Sequence, residues 1–342
     1  MEDKTSWFIK LWDESNPEIV GLGECGPLPG LSTDAKPDFE NILADVLKEI
    51  QNIKLPGDLH QHGDAMLAHI ARMVPTDCPA ISFGLETAWL DLLNGGKRIV
   101  FKNSFLEGKA IPINGLVWMG DVDFMIQQVH QKIQQGFKCI KLKVGGLDFD
   151  KECQVLKDIR RQYGPEQITL RLDANGAFHP NEALEKLTRL NQFAIHSIEQ
   201  PIKQGQEEMV DICRHSPIPV ALDEELIGYE SGERKTELLR RLRPQYIILK
   251  PTLHGGLTGC REWIATAEKQ GIGWWITSAL ESNIGLNAIC QFTANYPINL
   301  PHGLGTGAIY QNNIVSPLTV ENGNIYLNSN KGWDVQNLIH EK

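Results

Sequence analysis

The stretch ITLRLD, residues 168–173, is a short apolar run that ends in a carboxylate, Asp173. Two further runs end in the same way, AIHSIE at Glu199 and IPVALD at Asp223. The three carboxylates are 26 and 24 residues apart, and a strand with its crossover helix takes roughly 30 residues. The spacing therefore predicts successive strand–helix units, each with a carboxylate at the carboxyl end of its strand.

Lysines continue this pattern in both directions along the chain. CIKLK ends at Lys143, 30 residues before Asp173, and YIILK ends at Lys250, 27 residues after Asp223. A lone carboxylate at a strand end is more often a turn former or a helix cap. Five charges at equivalent points of five consecutive repeats instead favour a functional site, because charges at the carboxyl ends of barrel strands are typical of an active site.

The alternation of strands and helices extends over most of the chain. Strand-like runs occur near residues 111–118, 139–144, 168–173, 195–199, 219–223, 246–250, 273–278 and 299–304. Helical patterns lie between most of them, which predicts parallel strands with helical crossovers. Eight such strands predict an α/β fold, a TIM-type (β/α) barrel. An open doubly wound sheet is the alternative, but no Gly-x-Gly-x-x-Gly follows the first strand.

The N-terminal part follows a different pattern and predicts a smaller α+β capping domain. It combines a hairpin, a loop rich in Gly and Pro and two helical patterns, at 6–24, 26–32, 37–52 and 79–94. A second hairpin with an Asn-Gly turn lies in the C-terminal tail, and we expect the tail to return to the N-terminal domain. The predicted domains are the cap, 1–108 joined by 310–342, and the catalytic barrel, 109–309.

Composition limits the classes of partner. The chain has 33 Lys and Arg against 43 Asp and Glu, a formal charge of −10, which argues against nucleic acid and anionic membranes. No apolar run approaches the roughly 20 residues that span a bilayer, and the start lacks the features of a signal peptide. The seven cysteines are scattered, as in reduced proteins. We expect a cytoplasmic protein, and the sequence leaves its oligomeric state open.

The carboxylates also predict a metal. Three carboxylates that converge on one barrel mouth repel one another unless a cation neutralises them. Oxygen-only ligands point to Mg²⁺ or Mn²⁺ rather than zinc. Residues two apart on a strand share a face, so Lys141 accompanies Lys143, and Arg171 and Asn175 accompany Asp173. Taken alone, Lys141 is typical of a surface residue and Arg171 of a structural ion pair.

Together these residues resemble the enolase superfamily, in the branch related to muconate lactonizing enzyme. The matching motifs are Lys141-Leu-Lys143, Asp173-Ala-Asn175, Glu199-Gln-Pro, Asp223-Glu224 and Lys250-Pro-x-x-x-Gly-Gly. The resemblance covers the whole barrel and implies an enolase-like, modified barrel with a cap. It implies that Asp173, Glu199 and Asp223 bind Mg²⁺, with Mn²⁺ as a substitute, and that Lys143 and Lys250 are catalytic. It further implies removal of a proton next to a carboxylate of a small-molecule substrate.

Within this branch the chain resembles the o-succinylbenzoate synthase family. The motifs that carry this likeness are GECGPLPGLS (23–32), LRLDAN (170–175), SALES (278–282) and HGLGTG (302–307). The implied reaction is the dehydration of 2-succinyl-6-hydroxy-2,4-cyclohexadiene-1-carboxylate to 2-succinylbenzoate in menaquinone biosynthesis. Lys143 would take the proton and return it to the leaving hydroxide, while Lys250 would stay cationic.

Two other functions stay open at this point. N-succinylamino acid racemases use the same two lysines and also accommodate a succinyl group. A catalytically silent scaffold is disfavoured, because buried charge is costly and a silent barrel has no use for it. Family members also usually have one more strand before the one that begins near Ser6, so we expect the edge of the cap to differ here.

Several further residues are predicted to contact the substrate or to support those that do: Lys141, Arg171, Asn175, Glu224, Ser278 and Gly303. The loop at 27–32 is predicted to cover the barrel mouth, with an ordinary surface loop as the alternative. For Gly303 the alternative is tight barrel closure. His254 and His302 are predicted to be structural, and Trp274 and Trp275 to pack in or around the barrel.

Overall fold

The computed structural model describes residues 3–53 and 63–340. Both predicted parts of the cap therefore include residues outside the described ranges, namely 1–2, 54–62 and 341–342. Within the described ranges, no helix combines the length and the apolar character that a membrane span requires. The division into a cap and a barrel at the predicted boundaries stays a prediction.

Seven parallel strands form the main sheet, and their order across the sheet follows their order in the chain. They are β4 (Gly115–Val117), β5 (Cys139–Lys143), β6 (Thr169–Asp173), β7 (Ile195–Glu199), β8 (Val220–Leu222), β9 (Tyr246–Leu249) and β10 (Gly273–Ile276). Parallel bridges from His302 to Ile113 and from Gly303 to Thr277 join the two edges of this sheet. The sheet thus closes as a modified α/β barrel, and the expected eighth strand at 299–304 is reduced to these two bridges.

Helices connect the barrel strands and cover their outer face. They are α4 (Val122–Gln134), α5 (Phe149–Gln162), α6 (Pro180–Asn191), α7 (Met209–His215), α8 (Gly232–Leu242), α9 (Gly256–Lys269) and α10 (Asn283–Thr293). Local sequence begins several of them: the side chain of Asp121 accepts from Phe124 N, and that of Ser231 accepts from Arg234 N. Such caps satisfy amide groups that have no partner within the helix. One apolar cluster fills the space between these helices and the strands.

The N-terminal segment packs a hairpin against helices. Its elements are β1 (Trp7–Asp13), β2 (Asn16–Cys25), α1 (Phe39–Gln51), α2 (Gly63–Met73) and α3 (Pro79–Leu93). A Cβ at Gly23 would lie 1.8 Å from the carbonyl oxygen of Gly84, so only glycine lets β2 approach α3 this closely. The segment has an apolar core of its own, with Phe39, Leu43 and Ile81 among its members. These elements form the α+β cap that the sequence predicts.

The C-terminal hairpin pairs with the segment at the start of the barrel. Its strands, β11 (Leu318–Glu321) and β12 (Asn324–Leu327), pair antiparallel around the Asn-Gly turn. β12 then pairs with β3 (Ile111–Pro112), at the start of the barrel segment. In the described part of the chain this sheet contains β11, β12 and β3 alone, so the hairpin does not extend the N-terminal hairpin. The apolar side chains of Ile325 and Ile111, both buried in the barrel core, explain the pairing. A short helix, α11 (Gln336–His340), follows.

Candidate active site

The charged residues meet at the carboxyl ends of neighbouring strands. In the ladder of β5, β6 and β7, Lys143 is paired with Asp173, and Asp173 with Glu199. Asp223 follows β8 directly and Lys250 follows β9 directly. The register predicted from the repeat spacing is therefore observed for Lys143, Asp173 and Glu199. Glu199 is paired with Ala221, and Ala221 with Tyr246, so Asp223 and Lys250 lie beyond that rung of the ladder. All five residues nevertheless lie at the carboxyl ends of adjacent parallel strands, which form one barrel mouth.

Three lysines compensate three buried carboxylates at this mouth. Asp173, Glu199 and Asp223 are 1%, 2% and 0% exposed. Lys141 Nζ lies 2.9 Å from both Asp173 Oδ2 and Glu199 Oε2. The ammonium of Lys250 forms an ion pair with Asp223. Each carboxylate thus has a cationic partner, as buried charges require.

Lys143 is held less tightly than the other two lysines. Its Nζ lies 3.4 Å from Asp173 Oδ2, and it donates a hydrogen bond to Asn175 Oδ1. Its side chain is 24% exposed, against 15% for Lys141 and 13% for Lys250. Lys143 is therefore the lysine of this cluster that has most access to the barrel mouth.

Burial and neighbouring charges set the pKa values of the side chains in this cluster. Burial and repulsion by Asp173 together raise the pKa of Glu199 to about 8. Burial also acts to raise the pKa of Asp173, but Lys141 and Lys143 lower it to about 2. Burial would lower the pKa of Lys250, but Asp223 and Glu199 outweigh it and raise that pKa. The site therefore favours bound positive charge.

The donor set suits a divalent cation, although the side chains are not gathered around one. Within residues 3–53 and 63–340, no three acidic, histidine or cysteine side chains converge to hold a metal ion. The ammonium of Lys141 stands between Asp173 and Glu199. Glu199 Oε1 and Asp223 Oδ1 are nevertheless buried without a hydrogen-bond partner. Unpaired carboxylate oxygens are what a hard cation binds, and the ammonium groups would have to move aside for it.

The predicted supporting residues divide into two groups. Asn175 and Glu224 lie at the mouth, where Asn175 Nδ2 donates to Glu224 Oε1 at 2.9 Å. Arg171 lies deeper in the barrel and is 1% exposed. Its guanidinium stacks 3.9 Å from the ring of Trp275, and its Nη1 donates to the carbonyl of Pro301. Arg171 thus packs below the carboxylates rather than at the mouth.

Ser278, which follows β10, and Gly303, which forms a closing bridge of the barrel, have different surroundings. Ser278 Oγ donates to Glu281 Oε2 at 2.5 Å and accepts from Thr306 Oγ1. A Cβ at Gly303 would lie 2.0 Å from Thr277 Oγ1, so glycine is needed there for barrel closure. This close contact favours the structural alternative for Gly303.

The two histidines that the sequence predicts to be structural each accept a hydrogen bond from a backbone amide. His254 Nδ1 accepts from Lys250 N at 2.9 Å, and His302 Nδ1 accepts from Ile276 N at 3.0 Å. Trp274 packs against Tyr296 outside the strands. These contacts fit structural roles.

The loop that follows β2 lies on the barrel mouth. Leu28 and Leu31 pack with Leu253, Ala279 and Leu280, which belong to the loops after β9 and β10. The contact excludes water from that side of the mouth and supports the covering role predicted for residues 27–32.

Sequence reasoning assigns no role to the buried glutamates that hold these loops, although Glu24 and Glu281 lie in two of the quoted motifs. Glu281 is 0% exposed and accepts from Ser278 Oγ, Ala279 N and Thr252 Oγ1. Glu24 and Glu86, in the N-terminal segment, bond backbone amides near residues 282 and 257. The sequence gives no periodic signal for Glu24 and Glu86, because the barrel amides that they bind are 171 to 261 residues away.

Comparisons with known proteins agree with this architecture. A family model described as enolase C-terminal domain-like matches residues 125–336. An o-succinylbenzoate synthase from Desulfotalea psychrophila is 46% identical, covering 94% of this chain and 92% of the relative. The crystal structure of MenC from that organism matches with a TM-score of 0.86 and 44% identity, covering 95% and 94% of the two chains. Muconate cycloisomerase from Pseudomonas fluorescens shares the fold, with a TM-score of 0.78 at 23% identity over 98% and 91%.

Proposed function

Because this chain belongs to the enolase superfamily, we propose that it is an o-succinylbenzoate synthase. It dehydrates 2-succinyl-6-hydroxy-2,4-cyclohexadiene-1-carboxylate to 2-succinylbenzoate, a step of menaquinone biosynthesis. The observation that carries the proposal is the 46% identity to a synthase of that name across nearly the whole chain. A small-molecule carboxylate substrate and a cytoplasmic location accompany it, and the seven free, buried cysteines suit a reducing compartment.

Members of the superfamily use a divalent metal, and here Asp173, Glu199 and Asp223 would hold Mg²⁺, with Mn²⁺ able to replace it. Bound there, the ion supplies positive charge against the charge that develops on the substrate carboxylate. The buried, unpartnered oxygens of Glu199 and Asp223 support this ligand set.

The two lysines divide the proton chemistry between them. Lys143 takes the proton next to the carboxylate, and its exposure at the mouth supports this role. The C–O bond to the ring hydroxyl then breaks, and the ammonium of Lys143 returns the proton, so that water leaves and the ring becomes aromatic. Lys250 keeps its proton, because Asp223 and Glu199 raise its pKa, and it stabilises negative charge as a fixed cation.

The other predicted residues support these groups. Asn175 accepts from Lys143 and donates to Glu224, so it orients Lys143 toward the mouth. Arg171 lies too deep to touch the substrate and supports the cluster from below. Lys141 compensates the carboxylates, and the hydroxyl of Ser278 is bonded to Glu281 and Thr306 in the loops beside the mouth.

Product formation tests the proposal directly. The purified protein, with Mg²⁺, is incubated with the cyclohexadiene substrate, and 2-succinylbenzoate is measured by chromatography. In parallel, an N-succinylamino acid is incubated in D₂O, and deuterium at Cα is measured by NMR. Product formation with slow exchange supports the synthase, whereas exchange without dehydration would overturn it in favour of the racemase.

A further inference from the structure

Helix α9 begins without a cap from its own sequence. Gly255 and Gly256, at its start, have φ of 85° and 73°, and no side chain of the preceding turn accepts from the first amides. Glu86, on α3, caps the helix instead, although it lies far away in the sequence. Its Oε2 accepts from Leu257 N at 2.5 Å, and its Oε1 accepts from Thr258 N at 3.2 Å. A Cβ on Gly256 would lie 2.4 Å from Glu86 Oε2, so glycine is what admits the carboxylate.

Helix α10 receives a second carboxylate from the same segment. Glu24, near the end of β2, accepts from Ser282 N and Ser282 Oγ at 2.9 and 2.6 Å, and from Gly285 N at 3.0 Å. Ser6 Oγ also donates to Glu24, at 2.8 Å. Glu24 and Glu86 are 0% and 1% exposed. Two fully buried carboxylates of the N-terminal segment therefore cap two successive barrel helices.

Both capped helices follow loops that belong to the active site. Lys250 lies at the start of the loop before α9, where its carbonyl accepts from Leu253 N and His254 N. Its amide in turn donates to the His254 ring. The backbone of Lys250 is thus fixed to the turn that ends at Gly255, and Glu86 holds the far side of that turn.

The loop before α10 is tied into the same arrangement. It carries Ser278, and Glu281 in it accepts from Thr252 Oγ1 in the neighbouring loop. The carbonyl of Leu280 accepts from Lys4 Nζ at 2.7 Å and from Tyr310. Glu24 holds the end of this loop at Ser282, so the two loops are fixed to each other and to the N-terminal segment.

We propose that Glu24 and Glu86 are positioning residues: by capping α10 and α9 across the domain boundary, they align the Ser278 loop and Lys250 when the N-terminal segment seats on the barrel. The proposal rests on the synthase function proposed above. A carboxylate at a helix N-terminus gains from the helix dipole and from charge-assisted hydrogen bonds. A buried amide in its place keeps the shape but has one acceptor oxygen instead of two, and it turns an NH₂ group toward amide donors, so hydrogen bonds to the helix N-terminus are lost.

The test uses Glu86→Gln and Glu24→Gln in the full chain, with Asp34→Asn as the matched control. Asp34 is also 0% exposed and also caps a helix, because its Oδ2 accepts from Ala80 N at 2.7 Å. That helix, α3, lies within the N-terminal segment. Amide hydrogen exchange by mass spectrometry is read over 250–258 and over 278–285.

Each variant should speed exchange in its own segment. Glu86→Gln should act on 250–258 and Glu24→Gln on 278–285, while Asp34→Asn should change neither. For Glu86→Gln and Glu24→Gln, kcat on the diene should fall on the order of 10-fold or more, since misplacement of reacting groups is costly. The Mg²⁺ affinity measured by calorimetry should stay within 2-fold (about the error of the comparison). Glu→Asp at either position keeps the charge and should retain more kcat than Gln.

The outcomes separate this proposal from the proposed function. A parent protein that does not turn over the diene would overturn the proposed synthase function. The positioning role of Glu24 and Glu86 in that reaction would then fail with it. An active parent whose Gln variants keep full kcat would overturn the positioning role alone, even if exchange responds. Unchanged exchange in both segments would overturn the capping role. If a Gln variant does not fold, Glu→Asp at that position is compared with the parent instead. Its carboxylate is one methylene further from the amides, so exchange in its own segment should still rise and kcat should still fall, by less than for Gln, and parent-like values of both would overturn the proposal.

Discussion

Replacing Lys141 by methionine should reveal how the buried carboxylates are compensated. Lys141 Nζ is 2.9 Å from both Asp173 and Glu199, which are nearly inaccessible to solvent. Lys141→Met keeps the length and the apolar stem of the side chain and removes only the ammonium. Two buried carboxylates then share one cation fewer, and breaking a buried pair from one side costs about 3–5 kcal/mol.

This cost converts into a shift of the thermal midpoint. Unfolding entropy is about 2.1 cal/mol/K per residue, or about 0.7 kcal/mol/K for this chain. In chelator, Lys141→Met should therefore lower Tm by about 4–7 °C. Lys143→Met is the matched control, because Lys143 is more exposed and its Nζ lies 3.4 Å from Asp173. We expect a shift of about 1 °C for the control, as for weak, partly exposed pairs.

A divalent cation should reduce the difference in Tm between Lys141→Met and the parent. Without the ammonium between Asp173 and Glu199, the variant should bind Mg²⁺ more tightly, and a ligand at 100 times its Kd adds about 2.7 kcal/mol of stability. The assay is circular dichroism melting in chelator and at saturating Mg²⁺. Equal Tm values for the parent and Lys141→Met in chelator would refute this account of charge compensation.

Three further predictions concern the lysines, the metal and pH. Lys143→Ala and Lys250→Ala should each lower kcat by at least about 10²-fold in folded protein, as loss of a proton-transfer or charge-stabilising group does; near-normal rates in either would sink the mechanism. Asp223→Asn should abolish Mg²⁺ binding in calorimetry, and retained binding would remove Asp223 from the ligand set. Burial raises the pKa of Asp34 from 3.8 to about 7, so folded protein keeps a proton there that unfolded protein loses, and its contribution to stability falls as pH rises through that window. Asp34→Asn should remove this dependence of stability on pH. Its free energy of unfolding should come to exceed that of the parent by up to about 4 kcal/mol as the pH rises from 4 to 7. A difference in Tm that does not change with pH would contradict this prediction.

The sequence predicts the barrel and its charged rim because both arise from a repeat. Each strand–helix unit has similar length, so equivalent strand ends come to one level, and the pairing of Lys143, Asp173 and Glu199 follows. The repeat does not predict how the barrel closes. Residues 302–303 contribute single bridges, and a pattern of apolar residues does not distinguish two bridges from a full strand.

Contacts between distant parts of the chain were beyond pattern reasoning. The Asn-Gly turn predicts the tail hairpin, but its partner β3 contributes only two residues. Residue spacing predicts that Arg171 shares a face with Asp173, but its stacking on Trp275 depends on its depth in the barrel. Glu86 illustrates the same limit, because its partner amide at Leu257 is 171 residues away.

The proposed dehydration is tested most directly by the ultraviolet absorbance of the cyclohexadiene carboxylate substrate mixed with the purified protein. With Mg²⁺ present, the diene band should disappear rapidly, and chelator should stop its loss. A diene band that persists in the presence of folded, Mg²⁺-bound protein would overturn the proposed synthase function.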